Sequence, residues 1–204
     1  MSLEDNLFEQ IQLYLPPYLL PEHKKELYSE LKKFPDNMPF YLQEEDLREK
    51  ILQGDGWRGF VAINFHTGER KTVSGVILSN SCDIASENVR DLPVNVLFSP
   101  LIEVQRYKDL LRAVGKTDAK IQDTVINIQK QLVTNIFYLP ECPGFIPASL
   151  ILLDDIHAHP LQDFLAQTRQ SLFTLNQPAF YLFVIKLSIH LTRFQEGIKR
   201  FAAA

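Results

Sequence analysis

Cys82 followed by Asp83, in the stretch "GVILSNSCDIAS" (75–86), is the sharpest local concentration of chemistry in the chain. A strand-like run, Val76-Ile77-Leu78, empties there into Ser79-Asn80-Ser81 just before the thiol. A cysteine at a strand end becomes a nucleophile when a histidine takes its proton, because the thiolate is the reactive form. His66, in a neighbouring hairpin, and His190, in the last helix, are the partners a fold could bring to it. A catalytic set would then be Cys82, Asp83 and His190. The other reading is structural. Cys82 turns back into the core as a small apolar residue, and Asp83 bonds backbone N–H groups of the loop. The structural cysteine is the favoured expectation, with a thiol that is protonated and slow to alkylate in the folded chain.

Two further groupings carry chemistry. Cys82, Cys142, His157 and His159 are zinc-type ligands, and the two histidines would point the same way on a strand. No CxxC or HxxxH pair supports them, so neither a metal nor a cofactor is expected. Lys186, His190 and Arg193 fall at i, i+4 and i+7, one stripe of the terminal helix. That stripe is the candidate binding site, for an anion or a carboxylate partner. Its plainer role is the helix's solvent edge, or a pairing with acids such as Asp83 or Asp154-Asp155. Tyr181, Leu182, Ile185, Ile189 and Phe194 on the rest of that helix read as core.

The elements that must position these residues follow from periodicity and turn chemistry. Residues 1–52 read as a helical extension, with Leu3, Leu7, Ile11 and Leu15 at helical spacing before "LPPYLLP" interrupts them. "LYLPPYLLP" fits either an extended recognition segment or a connector laid over the core. "WRGFVAINF" and "KTVSGVILS" are β-rich and flank Thr67-Gly68, which predicts a hairpin with strands over 58–65 and 71–79. "VNVLFSPLIEV" predicts a third strand over 94–104, in which Pro100 marks a bulge or an edge. Residues 105–134 read as two helices, stopped at Gly115 and restarted at Thr117 as N-cap. "NIFYLP" and "ASLILLDDI" read as strands. Residues 157–201 read as C-terminal helices, and Ala202–Ala204 as a cloning tail left out of the fold.

The totals agree with one good-sized domain or a small one with additions. The chain has 204 residues, 46% hydrophobic and 23% charged, enough to bury a core and not the composition of disorder. Its net charge of -4, with no basic run, argues against a general nucleic-acid binder. Two cysteines make no disulfide framework, so a reduced, cytoplasmic setting is expected. The most apolar stretch, "AFYLFVIKLSIHLTRF", is broken by Lys186, His190 and Arg193 and is too short to span a bilayer. The order of elements lacks a βαβ repeat, which disfavours a parallel-sheet enzyme.

In residues 53–104, and again over 136–156, the chain resembles the SH3-like barrel of the MazF/PemK toxins. The likeness rests on Gly54-Asp55, a strand, a hairpin, a strand ending in "VILSN", and a later strand with "VLFSPL". "LSNSCDI" also resembles an uncharacterised bacterial and phage-associated group with a Leu-Ser-x-x-Cys-Asp-Ile/Leu stretch on a PemK-like barrel. The resemblance implies an α+β fold: a small antiparallel SH3-like barrel over 53–156, with helices inserted at 105–134 and others at both ends. It implies for the toxins an arginine before the second long strand and a threonine after the later proline, the groups that handle phosphate and proton in RNA cleavage. Those positions fall here on Val73, within Thr72-Val73-Ser74, and on Ile102, within Pro100-Leu101-Ile102. Neither side chain neutralises phosphate or carries a proton. The expectation is therefore a non-catalytic interaction or accessory protein on a toxin-like barrel. The alternative is an enzyme, either a divergent endoribonuclease or a cysteine-dependent one built on Cys82. The expected partner is a protein in preference to nucleic acid, with no membrane and with room for a homodimer.

Overall fold

Two β-rich runs joined by a tight turn set the frame. In the computed structural model, which describes residues 38–42, 50–64, 66–85, 87–88 and 91–192, β1 (Gly56–Ile63) and β2 (Arg70–Ile77) pair antiparallel as the Thr67-Gly68 signal predicts. Gly68 has φ +70° and its N–H donates to the Asn64 carbonyl at 2.7 Å, closing the turn. β3 (Asn95–Pro100) adds antiparallel to β2. The helices expected before residue 37, most of the one expected within 41–52, the "LYLPPYLLP" segment and Arg193 and Phe194 lie outside the described residues.

The expected third strand over 94–104 is interrupted at Leu101. Pro100 is the last residue of β3, and Ile102–Glu103 (β4) pairs in a different sheet, with β6. β5 (Ile136–Leu139) and β6 (Ser149–Leu152) complete that second sheet in the order β4-β6-β5. The inserted helices α2 (Val104–Ala113) and α3 (Asp118–Gln129) match expectation, including the Thr117 cap, whose hydroxyl accepts from the Lys120 N–H at 3.5 Å.

The C-terminal segment departs from the sequence reading. Expected to be helical throughout, it also holds β7 (His157–Pro160) and β8 (Gln170–Phe173), placed around α4 (Leu161–Ala166) and before α5 (Gln177–Thr192). These are the two edge strands of a five-stranded antiparallel sheet, β7-β3-β2-β1-β8. Short strands of this kind are stabilised by neighbours far away in sequence, so local pattern under-reports them. The described residues thus form an α+β structure of eight strands and five helices, counting α1 (Ser81–Ile84), with an open five-stranded sheet. No helix among them is long and apolar enough to cross a membrane.

Strand alternation distributes three cores. Along β5, Phe137 and Leu139 face the central core with α5, while Ile136 and Tyr138 face α2 and α3. Along β2, Val76 joins the central core and Ile77 the opposite face. On that opposite face Phe60 is stacked on Phe98 at 4.2 Å and on Phe164 of α4 at 4.4 Å between ring centroids. His157 stacks on the far side of Phe98 at 5.4 Å.

Gly75 makes this column fit. A Cβ there would lie 2.8 Å from Phe98 Cδ2 and 2.9 Å from the Ser99 carbonyl oxygen. Gly59, at φ +118°, supplies the bulge in β1 that brings Phe60 opposite Val73. Gly75→Ala is expected to destabilise the fold by ~1–3 kcal/mol through overpacking, seen as a lower urea midpoint with unchanged slope. An unchanged midpoint would mean that the ring column yields at no cost.

Candidate functional site

The polar run before Cys82 is used to build a turn. Asn80 caps α1, its side-chain oxygen accepting from the Cys82 N–H at 2.9 Å. Ser81 Oγ accepts from the Gln53 N–H at 2.8 Å, and Ser79 Oγ accepts from the Leu97 N–H at 2.7 Å. Asn88 Nδ2 donates to the Cys82 carbonyl. Of the four residues of α1 only Ile84 is buried, packed against the Trp57–Phe60–Phe98–Phe164 cluster.

Cys82 itself is exposed, and this corrects the expectation of a core thiol. One turn of helix with a single buried anchor, Ile84, leaves the residue two positions earlier on the outer side. Among the described residues no histidine is hydrogen-bonded to it. His66 sits at the β1–β2 turn, the far end of an eight-residue strand from α1, roughly 25 Å at strand rise. His190 lies near the end of α5, half-buried, and no hydrogen bond joins it to Cys82 among the described residues. Asp83 is exposed in the first turn of α1 and lines a cleft described below.

The expected cationic stripe on α5 is broken. Lys186 is buried, and its Nζ donates to the Gln131 carbonyl at 3.0 Å and to Gln131 Oε1 at 2.8 Å. Because α5 is apolar nearly all round, it is packed on several sides and has no broad solvent edge there. Gln131 has φ +57° and forms the left-handed end of α3, with its N–H on Ile128 O and the Leu132 N–H on Asn127 O. Its side-chain amide pairs with Tyr138 in the manner of a strand, donating to Tyr138 O at 2.7 Å and accepting from Tyr138 N at 3.1 Å. Gln131 thus covers the free edge of β5, and Lys186, bonded to Gln131, is not presented to an anion.

The zinc-type residues are not gathered, and no group of three or more ligands that could hold a metal occurs among the described residues. His157 and His159 do share one face of β7, as expected. His157 Nε2 lies 3.0 Å from Asp155 Oδ1, while His159 is buried edge-on to Phe60 and Phe164. Burial pushes the His159 pKa below its ordinary value, and its Nδ1 has no hydrogen-bond partner.

Two clefts flank α1 instead, and they are the candidate site. One, of about 330 Å³, lies between Lys50-Ile51-Leu52, Ile84 and Arg169. The other, of about 420 Å³, lies between Asp83, the Asp91–Val94 strand approach and Leu161. Ala85 and Leu165 line both, so the clefts abut across one ridge. Phe164 locks α4 by its stack on Phe60, which turns the next residue, Leu165, outward at 38% exposure. Leu92 stands at the rim, 78% exposed. Arg169 lies over Trp57 at 5.9 Å and donates from Nη1 to the Leu165 carbonyl. Sequence reasoning missed this surface, although "DLPV" at 91–94, a leucine held between an acid and a proline, was a readable sign of an exposed apolar residue. The chain matches no protein-family model and no curated protein sequence.

Away from the clefts, Asp55 is a buried carboxylate at the start of β1. It accepts from the Thr174 hydroxyl at 3.1 Å and from the Leu175 backbone N–H. Burial raises its pKa from 3.8 to about 8, and burial lowers that of Lys186 from 10.5 to about 7.

For Asp55 the folded chain keeps a proton that the unfolded chain has lost, so stability is expected to fall as pH rises from about 4 towards 8. For Lys186 the unfolded chain keeps the extra proton, so stability is expected to recover between about pH 7 and 10.5. Asp55→Asn should flatten the acid-side fall and Lys186→Met the alkaline recovery, each on the order of a few kcal/mol across its window. Melting curves from pH 4 to 10 check both, and a wild-type profile without a minimum between pH 7 and 8 contradicts them. Cys82, being exposed, is expected to react with a thiol reagent in the native state, and Cys82→Ser to change stability by no more than ~0.5 kcal/mol. A thiol that reacts only after unfolding would return Cys82 to the core.

Proposed function

We propose that this protein acts by binding a protein partner on the surface around α1, and that it is not a nuclease. The observation that carries this reading is the pair of abutting clefts with exposed Leu92 and Leu165 between charged rims. Apolar side chains left at a cleft rim are what a partner covers. Against nuclease chemistry, Val73 is spent on the phenylalanine cluster and Ile102 on the α2–α3 core. Against cysteine chemistry, no histidine hydrogen-bonds Cys82 among the described residues.

The fold reading that accompanies this is an SH3-like, PemK-like barrel. Its support is the antiparallel β1-β2-β3 unit, the bulge at Gly59, and the crossing at Leu101 from one sheet to the other. Neither cysteine is in a disulfide, which suits a reduced, cytoplasmic setting.

Purified protein is expected to leave single-stranded RNA intact, and its expression in a bacterial host to leave growth unaffected. A specific partner recovered from host lysate should be lost with Leu165→Lys while the melting temperature stays within a few degrees. RNA cleavage abolished by changing one polar residue of the five-stranded sheet overturns the reading, as does a partner indifferent to Leu165→Lys.

A further inference from the structure

Among the described residues, the groove around α1 has opposite charges at its two ends. Lys50 and Arg169, with Glu87, line the first cleft, and Asp83 and Asp91 line the second. Between them lies the apolar ridge of Ala85 and Leu165. A surface with an apolar centre and opposite charges at its ends is complementary to itself under a two-fold rotation about that centre. We infer that the occupant of the groove is a second copy of this chain, docked across a two-fold axis near Leu165. This inference rests on the binding reading above and names its partner.

The rotation brings the second cleft of one copy onto the first cleft of the other. Leu92, the most exposed large apolar residue described and set at the rim of the second cleft, then enters the partner's first cleft against Ile51, Leu52 and Ile84. Asp91, its neighbour in the chain, comes beside Lys50 and Arg169 of the opposite copy. Each copy contributes one such knob and one such socket, so the contact closes at two subunits. Leu92 supplies the apolar anchor, and the acid–base pairs at both ends set the direction of docking.

Sedimentation velocity of the full chain at high micromolar concentration tests this. The wild type is expected to run as a dimer, and Leu92→Asp to weaken dimerisation by at least ~tenfold. Because Leu92 is 78% exposed, that substitution leaves the monomer's stability intact, as a matching melting temperature would verify. Asp91→Lys and Lys50→Glu should each weaken the dimer, and the double variant should recover it, since the reversed charges meet again across the two-fold axis. A monomeric wild type overturns the homodimer, as does a dimer indifferent to Leu92→Asp or a double variant no better than the single ones. The effect of Leu165→Lys on a lysate partner is a separate measurement, so a failed dimer does not decide the broader binding reading.

Discussion

The aromatic column Phe98–Phe60–Phe164 is the contact on which the rest of this structure hangs. It joins a residue of β3, a residue of β1 and the only buried residue of α4 into one stack. The stack fits as it stands because β2 carries glycine at position 75, where a Cβ would crowd Phe98 and the Ser99 carbonyl. Offset rings at such separations add ~0.5–1.5 kcal/mol per pair beyond the area they bury. The structural consequence is larger than that figure. Locking Phe164 inward fixes α4 on the sheet, fixes Leu165 outward, and so shapes both clefts around α1.

Two buried ionisable groups serve the frame on the other side of the sheet. Asp55 ties the start of β1 to the Thr174-Leu175 segment, which also pairs with residues 40–42. Lys186 ties α5 to Gln131 at the end of α3. Both groups are held by hydrogen bonds from or to neutral partners, and burial moves both towards their uncharged forms. Gln131 shows how a side chain can do the work of backbone. A glycine would suit its left-handed φ better, but only a side-chain amide can pair with Tyr138 and protect the open edge of β5.

These placements redirect the chemistry of the chain. Among the described residues, Lys186 is consumed in a structural clasp, and Cys82 stands exposed without a histidine hydrogen-bonded to it. Among the described residues, a groove with an apolar centre and charged rims stays open around α1, and the proposed recognition rests on it.

Local pattern in the sequence determined the elements whose partners are close in the chain. The Thr67-Gly68 hairpin, the stop at Gly115, the cap at Thr117 and the strand runs of β5 and β6 were all legible, because each is decided within a few residues. Ser79, Asn80 and Ser81 were likewise legible as the hydrogen-bonding residues of a turn. The tertiary structure alone decided the rest. "HAHP" and "QSLF" are strands because β3 and β1 offer them hydrogen-bonding edges some sixty and more than a hundred residues earlier in the chain. Lys186 is buried because Gln131, 55 residues away, receives it, against a helical stripe that pointed to solvent. Cys82 is exposed because α1 spends its single buried position on Ile84. Burial is a sum over neighbours distant in sequence, and no local period carries it.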